Sequence, residues 1–247
     1  MLTVAGTQGN VANTRTIEWT AGQTVTAAIH QPAADPLALV VLAHGAGGSQ
    51  YSDFMRTFSM ALASMGLTVA TFNFPYTELD RKLPDRQPIL ESCYRGILRA
   101  LAADKDLAAL PIFIGGKSMG GRMASHVAAA PDSEPEGAAE WWPRLRGLVF
   151  LGYPLHPPAR REQVRVSHLP RISHPMLFVQ GERDAFGTPA EIHTFADVLP
   201  APCTVVPVPG GGHSFDVLKR SGLSQEQVLT DAQQAVASWI RARLGER

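Results

Sequence analysis

Pro111-Ile112-Phe113-Ile114-Gly115-Gly116-Lys117-Ser118-Met119-Gly120-Gly121 is the stretch around which the rest of the chain is organised. Its first half is short and apolar, the mark of a buried strand. Small residues follow at Ala124, Ser125, Ala128, Ala129 and Ala130, which suits a helix lying close against a sheet. Between them, Gly116-Lys117-Ser118-Met119-Gly120 matches G-x-S-x-G, the pattern of a nucleophile elbow, in which a serine sits on a tight strand-to-helix turn. Ser118 would be strained there, and glycines two residues to either side would remove Cβ atoms that would clash. The rivals are an ordinary glycine-rich turn and a phosphate-binding turn, but neither G-x-x-x-x-G-K-[ST] nor G-x-G-x-x-G is present.

Outward from that stretch, residues 37–43 are continuously apolar and run into His44-Gly45-Ala46-Gly47-Gly48. Residues 67–74, 145–153, 176–180 and 204–208 read as further strands. Helical spacing groups Phe54, Phe58, Leu62 and Met65 before Gly66, and Leu90, Cys93, Ile97 and Leu101 after Pro88. Thr188, Pro189 and Glu191 open one helix with a capping box, and Ser224 with Gln227 opens another that should bury Val228, Ala232, Ala235, Val236, Trp239 and Ile240. Residues 14–19 and 24–29, around a turn at 20–23, predict an antiparallel hairpin at the sheet edge. Residues 75–87, 131–143 and 154–174 read as loops, the last too short for a helical cap domain. Strands and helices alternate from residue 37, which predicts a mostly parallel, doubly wound α/β sheet with no large cap, in one domain over residues 1–247.

The chain has 247 residues, 45% of them hydrophobic, with 22 basic and 22 acidic side chains. That balance points to neither nucleic acid nor an anionic membrane as partner. No apolar run is long enough for a bilayer, and residues 1–16 lack the pattern of a signal peptide. Cys93 and Cys203 lie in apolar contexts and read as buried, reduced thiols, so the cytoplasm is the expected compartment. The pattern implies no particular oligomeric state.

On a doubly wound sheet, ligand sites form outside the carboxyl ends of the strands. The 44–48 loop, Ser118, Asp184 in Gly181-Glu182-Arg183-Asp184 and His213 after Gly210-Gly211-Gly212 all fall there. Their order, serine, aspartate, histidine, is the triad order that accompanies a G-x-S-x-G elbow. A serine hydroxyl needs a base within hydrogen-bond reach. His213 would take its proton and return it to the leaving group, and Asp184 would hold the imidazole tautomer. The backbone amides of Ala46 and Met119 would form the oxyanion hole, each donor contributing about 3–4 kcal/mol.

Other readings compete at several positions. Glu182 is an alternative acid, Asp197 falls inside a predicted helix, and His213 could be a plain loop histidine. His44 is expected to order its own loop, and His126 to be structural. His30, His156, His168, His174 and His193 likewise lack metal-ligand spacing, so no metal and no cofactor are expected. Phe74, Tyr76, Tyr153, Leu155 and Phe186 follow strand ends and are candidate pocket walls. Lys117 could favour anionic acyl groups, but the expectation is that it points away from the pocket, solvated or ion-paired. Arg160, Arg161, Arg165 and Arg171 are expected to form a solvated basic loop.

Taken in order, His44-Gly45-Ala46-Gly47-Gly48, Gly115 to Arg122, Leu151-Gly152-Tyr153-Pro154-Leu155-His156-Pro157-Pro158, Gly181 to Asp184 and Gly211-Gly212-His213-Ser214-Phe215 resemble the small α/β-hydrolases of the dienelactone-hydrolase-like group. Through the Tyr-Pro-Leu-His-Pro-Pro segment, the chain more narrowly resembles the testis-expressed/chromatin-complex-subunit-like branch. The resemblance runs from about residue 37 to the end and implies the α/β-hydrolase fold. One departure is clear: dienelactone hydrolases carry a cysteine nucleophile where this chain has Ser118.

The expected activity is cofactor-free hydrolysis of a small-molecule carboxylic ester through an acyl-enzyme. Thioester, lactone or amide hydrolysis and perhydrolysis would use the same residues. Because that branch includes a chromatin-complex subunit, a non-catalytic interaction module is the second expectation.

Overall fold

The computed structural model describes residues 12–129 and 138–245. Most of the stretch read for a signal peptide, and most of the 131–143 loop, lie outside the described residues. The hairpin is β1 (Asn13–Thr20) and β2 (Gln23–His30), paired antiparallel. β3 (Leu39–Ala43), β4 (Thr68–Phe72), β5 (Ile112–Lys117), β6 (Leu145–Leu151), β7 (Met176–Gly181) and β8 (Cys203–Val208) run parallel to one another. Together they make an eight-stranded sheet ordered β1-β2-β4-β3-β5-β6-β7-β8, with β2 antiparallel to β4.

The helices are α1 (Asp53–Ser64), α2 (Pro75–Glu78), α3 (Gln87–Ala102), α4 (Met119–Ala129), α5 (Ala138–Trp141), α6 (Pro189–Ala196) and α7 (Gln225–Gly245). The strand patterns explain the layers. In β3, Leu39, Val41 and Ala43 face the core shared with α3 and α4, while Val40 and Leu42 face the core shared with α1 and α7. Both faces are covered, so the strand reads as a continuous apolar run rather than an alternating one. Each such side chain contributes about 1.5–3 kcal/mol on burial.

α1 is capped by Ser52, whose Oγ accepts from the Met55 amide. α6 carries the full Thr188–Glu191 capping box. At α7 the Ser224 Oγ accepts from the Gln227 amide at 3.3 Å.

The two loops at 75–87 and 131–143 are corrected. The 75–87 loop begins with α2, because Phe74 is extended, Pro75 supplies a preset first helical position and Tyr76 can then be buried. As the spacing on α1 predicts, Phe58 and Leu62 are buried and Phe54 and Met65 pack half-buried against the same core, with Met55 buried beside them. The end of the 131–143 loop is α5 and a 3-10 turn, and Trp141 is fully buried. Between β6 and β7 the regular structure is a 3-10 turn at Leu169–Arg171, with no cap helix. Arg160, Arg161 and Arg171 are exposed there, and Arg165 is half-buried. No described helix is long and apolar enough to cross a membrane.

Candidate active site

Ser118 stands between the end of β5 and the start of α4 with φ +50°, a left-handed conformation that costs a non-glycine residue about 1–3 kcal/mol. The surroundings enforce it. A Cβ at Gly116 would stand 2.2 Å from the Ala43 carbonyl oxygen, and one at Gly120 would stand 2.1 Å from the same atom. Only glycine fits at either position, so the elbow packs directly onto the end of β3. Beneath it, the buried Tyr94 hydroxyl lies 2.8 Å from the carbonyls of Val41 and Gly115, and accepts from the Gly115 amide at 3.0 Å.

Three side chains from three strand ends meet at the elbow. His213 Nε2 lies 2.8 Å from Ser118 Oγ, and His213 Nδ1 lies 2.8 Å from Asp184 Oδ2. Asp184 is 2% exposed, and its other oxygen accepts from the Phe186 amide at 2.8 Å. A buried carboxylate acceptor makes Nδ1 the protonated nitrogen and leaves Nε2 free to accept from the serine hydroxyl. Such a series can take the Oγ proton as Oγ attacks an electrophilic carbon.

The alternative acids do not reach the imidazole. Glu182 is exposed and accepts from the Gly210 amide at 2.8 Å, and Asp197 is exposed beside His193.

The 44–50 loop faces the serine. A Cβ on Gly45 would be 3.4 Å from Ser118 Cβ, and the loop turns through Gly47 at φ +71° with the Gly48 amide donating to Gly45 O at 3.1 Å. Ala46 lies within this turn. Met119 is the first residue of α4, where amides have no intrahelical acceptor.

Two buried polar side chains brace the loop. His44 Nδ1–H donates to Gly45 O at 2.8 Å, and its Nε2 accepts from the Phe74 amide at 3.1 Å. Burial pushes its pKa down to about 4, so it stays neutral, and with Nδ1 and Nε2 both engaged by main chain it serves to hold the loop. Gln50 Oε1 accepts from the Ala28 amide, while the Gln50 main-chain amide donates to Asn73 Oδ1 at 2.9 Å.

Gln50 and Gln180 are site residues that sequence reasoning passed over. Gln180 is fully buried; its Nε2 lies 2.8 Å from Asp184 Oδ2 and 2.6 Å from Gly187 O, and its Oε1 accepts from the Tyr153 amide. The signal that could have found it is an amide ending the otherwise apolar run 176–180.

Lys117 does not point away into solvent, nor does it pair with a carboxylate. It is 7% exposed, its Nζ donates to the main-chain carbonyl of His213 at 2.7 Å, and the ammonium lies 5.6 Å from the Phe54 ring centroid. Burial lowers its pKa to about 8 despite the opposing fields of Asp184 and Asp216.

A cavity of about 260 Å³ is lined by residues including Ala46, Phe54, Lys117, Ser118 and His213. A second, of about 550 Å³, shares Gly47, Gly48 and Ser52 with it and extends along Tyr76, Asp80 and Arg81. Of the expected pocket walls, Tyr76 lines the second cavity, and Phe186 packs on His213 with ring centroids 4.3 Å apart. Phe74, Tyr153 and Leu155 are buried in the core and line neither of these two cavities.

His126 stacks on His168 at 3.6 Å beside Arg122, on α4 and away from this series. No cluster of metal-ligating side chains occurs among the described residues.

The fold is shared with solved structures. Dienelactone hydrolase from Anabaena variabilis superposes with a TM-score of 0.71 at 21% identity, over 94% of this chain and 97% of that one. An α/β serine hydrolase without a lid from Xanthomonas campestris gives 0.65 at 18% identity, over 96% and 97%. In sequence, a putative phosphoribosyl transferase of Mycobacterium tuberculosis is 28% identical over 184 residues, 73% of this chain. The chain spans 37% of that relative's length. A family model described as alpha/beta hydrolase domain matches residues 36–241, from just before β3 into α7. With that match covering the parallel sheet and every strand end at the elbow, the chain belongs to the α/β-hydrolase family.

Proposed function

We propose that the chain is a serine hydrolase that cleaves small to medium carboxylic esters through an acyl-enzyme on Ser118. The observation that carries this reading is the unbroken hydrogen-bond series from Ser118 Oγ through His213 to buried Asp184, beginning at a serine with φ +50°. In this reading Oγ attacks the ester carbonyl while its proton passes to His213 Nε2. The amides of Ala46 and Met119 receive the developing oxyanion. Collapse expels the alcohol, which leaves with the proton from Nε2, and a water activated by the same nitrogen releases the acid.

The cavity of about 260 Å³ at Ser118 suits a short acyl group, and the adjoining one of about 550 Å³ leaves room for a larger substituent. The absence of cap helices between β6 and β7 suits ready access from solvent. Free Cys93 and Cys203 fit a reducing, cytoplasmic setting. The phosphoribosyl transferase name belongs to a much longer relative, and a serine–imidazole–carboxylate series suits acyl transfer.

The test is labelling with a fluorophosphonate, together with turnover of a chain-length series of nitrophenyl esters and matched thioesters and lactones. Wild type should label on Ser118 and favour short-chain esters, and Ser118→Ala should not label. A folded wild type that neither labels nor turns over any member of the series would defeat the reading. Faster turnover of the thioesters or lactones would reassign the substrate class.

A further inference from the structure

Lys117 has no part in the ester chemistry described above, yet it is built into the site. It ends β5 immediately before the nucleophile, and its ammonium is buried against His213 O at 2.7 Å and the face of Phe54. Gly152 closes the other side. Its φ is +68°, and a Cβ there would stand 2.8 Å from His213 O and 3.1 Å from Lys117 Nζ. The strand carrying Ser118, the turn after β6 and the loop carrying His213 therefore converge on one ammonium.

Burying a cation is costly unless hydrogen bonds replace its hydration, and an apolar side chain of similar length would fill the space without that cost. What the lysine adds is a strong, charge-assisted bond to the base residue itself. The loop is also fastened to the turn after β7, by the Arg183 amide on Gly211 O at 2.8 Å, the Arg183 guanidinium on Gly210 O at 2.9 Å and the Gly210 amide on Glu182 at 2.8 Å, but all of these fall two or more residues before the imidazole.

We propose that Lys117 is a positioning residue for the base: its ammonium clamps the His213 carbonyl to the strand that bears Ser118, and so sets the imidazole between Asp184 and Ser118 Oγ. The consequence for turnover rests on the serine-hydrolase reading, whereas the clamp itself does not. The charges that reach the ammonium are Asp184 at the end of β7 and Asp216 in the base loop, both favouring its protonated form. The His213 imidazole is the neighbouring titratable group, and Phe54 and Gly152 carry no charge. Burial lowers the lysine pKa to about 8, so the clamp is charge-assisted below that pH and weakens as pH rises through it. Arginine at this position keeps its charge throughout.

The experiment compares wild type, Lys117→Met and Lys117→Arg. It measures fluorophosphonate labelling rate against pH, kcat and KM on a nitrophenyl ester, and the downfield NMR signal of the His213 Nδ1 proton shared with Asp184. Lys117→Met should lower labelling rate and kcat about ten- to a hundredfold with little change in KM, and should broaden or abolish the downfield signal. Wild type should lose rate above about pH 8, and Lys117→Arg should restore both readouts and remove that fall.

The proposal is overturned if Lys117→Met keeps the signal and the labelling rate. It is also overturned if Lys117→Arg shows the wild-type fall above that pH, which decides the matter even where the methionine variant does not fold. A wild type that never labels, but whose downfield signal is lost in Lys117→Met and regained in Lys117→Arg, would keep the clamp and refute the hydrolase reading.

Discussion

The two partners of the Ser118–His213 contact are held by different forces. The elbow is held by exclusion. Cβ atoms at Gly115, Gly116 and Gly120 would stand 1.8, 2.2 and 2.1 Å from the carbonyl oxygens of Val149, Ala43 and Ala43. The His213 loop is close-packed as well, since a Cβ at Gly181 would stand 2.3 Å from Gly212 O, but side-chain and main-chain attraction is added there: Asp184 Oδ2 on Nδ1 at 2.8 Å, Lys117 Nζ on the carbonyl at 2.7 Å, and the Gly212 amide on Asp216 O at 2.8 Å. Exclusion admits no half measures, because backbone cannot yield to backbone without moving a strand. Attraction is graded, each net hydrogen bond contributing about 0.5–1.5 kcal/mol and more where a charge takes part. Ser118 is thus placed chiefly by what cannot fit, and His213 by attraction added to close packing.

The largest effect should come from breaking the exclusion. Gly120→Ala should destabilise the protein by about 3 kcal/mol or more, or prevent folding, because its Cβ meets the end of β3. Thermal melting and recovery of folded protein measure it, and a variant that melts like wild type and labels fully would abolish the contrast drawn above. Asp184→Asn should leave melting nearly unchanged and lower kcat about 10⁴-fold, since the amide favours the wrong tautomer. Near-normal turnover would mean that the carboxylate does not orient the base.

Gln180→Leu should act on the His213 side, through Asp184. It strands the Tyr153 amide and removes a donor from Asp184, for a loss of about 2–3 kcal/mol. That corresponds to a fall in Tm of roughly 4–12 °C. Its kcat should drop less than that of Asp184→Asn, and the reverse order would make Gln180 the more important support.

A separate prediction is a pH dependence of stability on the elbow side. Burial, joined at the stacked pair by nearby arginines, lowers the pKa values of His44, His126 and His168 to about 4, 4 and 3. The unfolded chain therefore binds more protons than the folded one below the ordinary histidine value of 6.5. Stability should be fully present above that pH and lost as pH falls toward 4. Melting curves from neutral to acid should show Tm falling, and a rising Tm would contradict the assigned burial.

The elbow was legible because its cause is local. Glycines at fixed offsets from Ser118, a strand before it and a small-residue helix after it all lie within one short stretch. Asp184 and His213 were legible as candidates because each follows a strand, and chain order then suggested roles. Lys117 was misread because its partner is a main-chain carbonyl 96 positions away, which no side-chain pattern announces. Gln180 and Gln50 were missed for the same reason, since a glutamine at a strand end or in a polar loop looks like any other until its neighbours are known.

By itself, the sequence determined the parallel sheet, the positions of its strand ends and the order in which Ser118, Asp184 and His213 follow them. Hydrophobic periodicity and the need for glycine at a tight turn act over a few residues and are written wherever they act. Only the tertiary structure decided which groups touch: His213 between Asp184 and Ser118, Gln180 beneath the acid, and the Lys117 ammonium on the base loop. Those contacts require donors and acceptors from different strands to lie within about 3 Å of one another, and that distance is set by the packing of the sheet and its helices, not by any local run of residues.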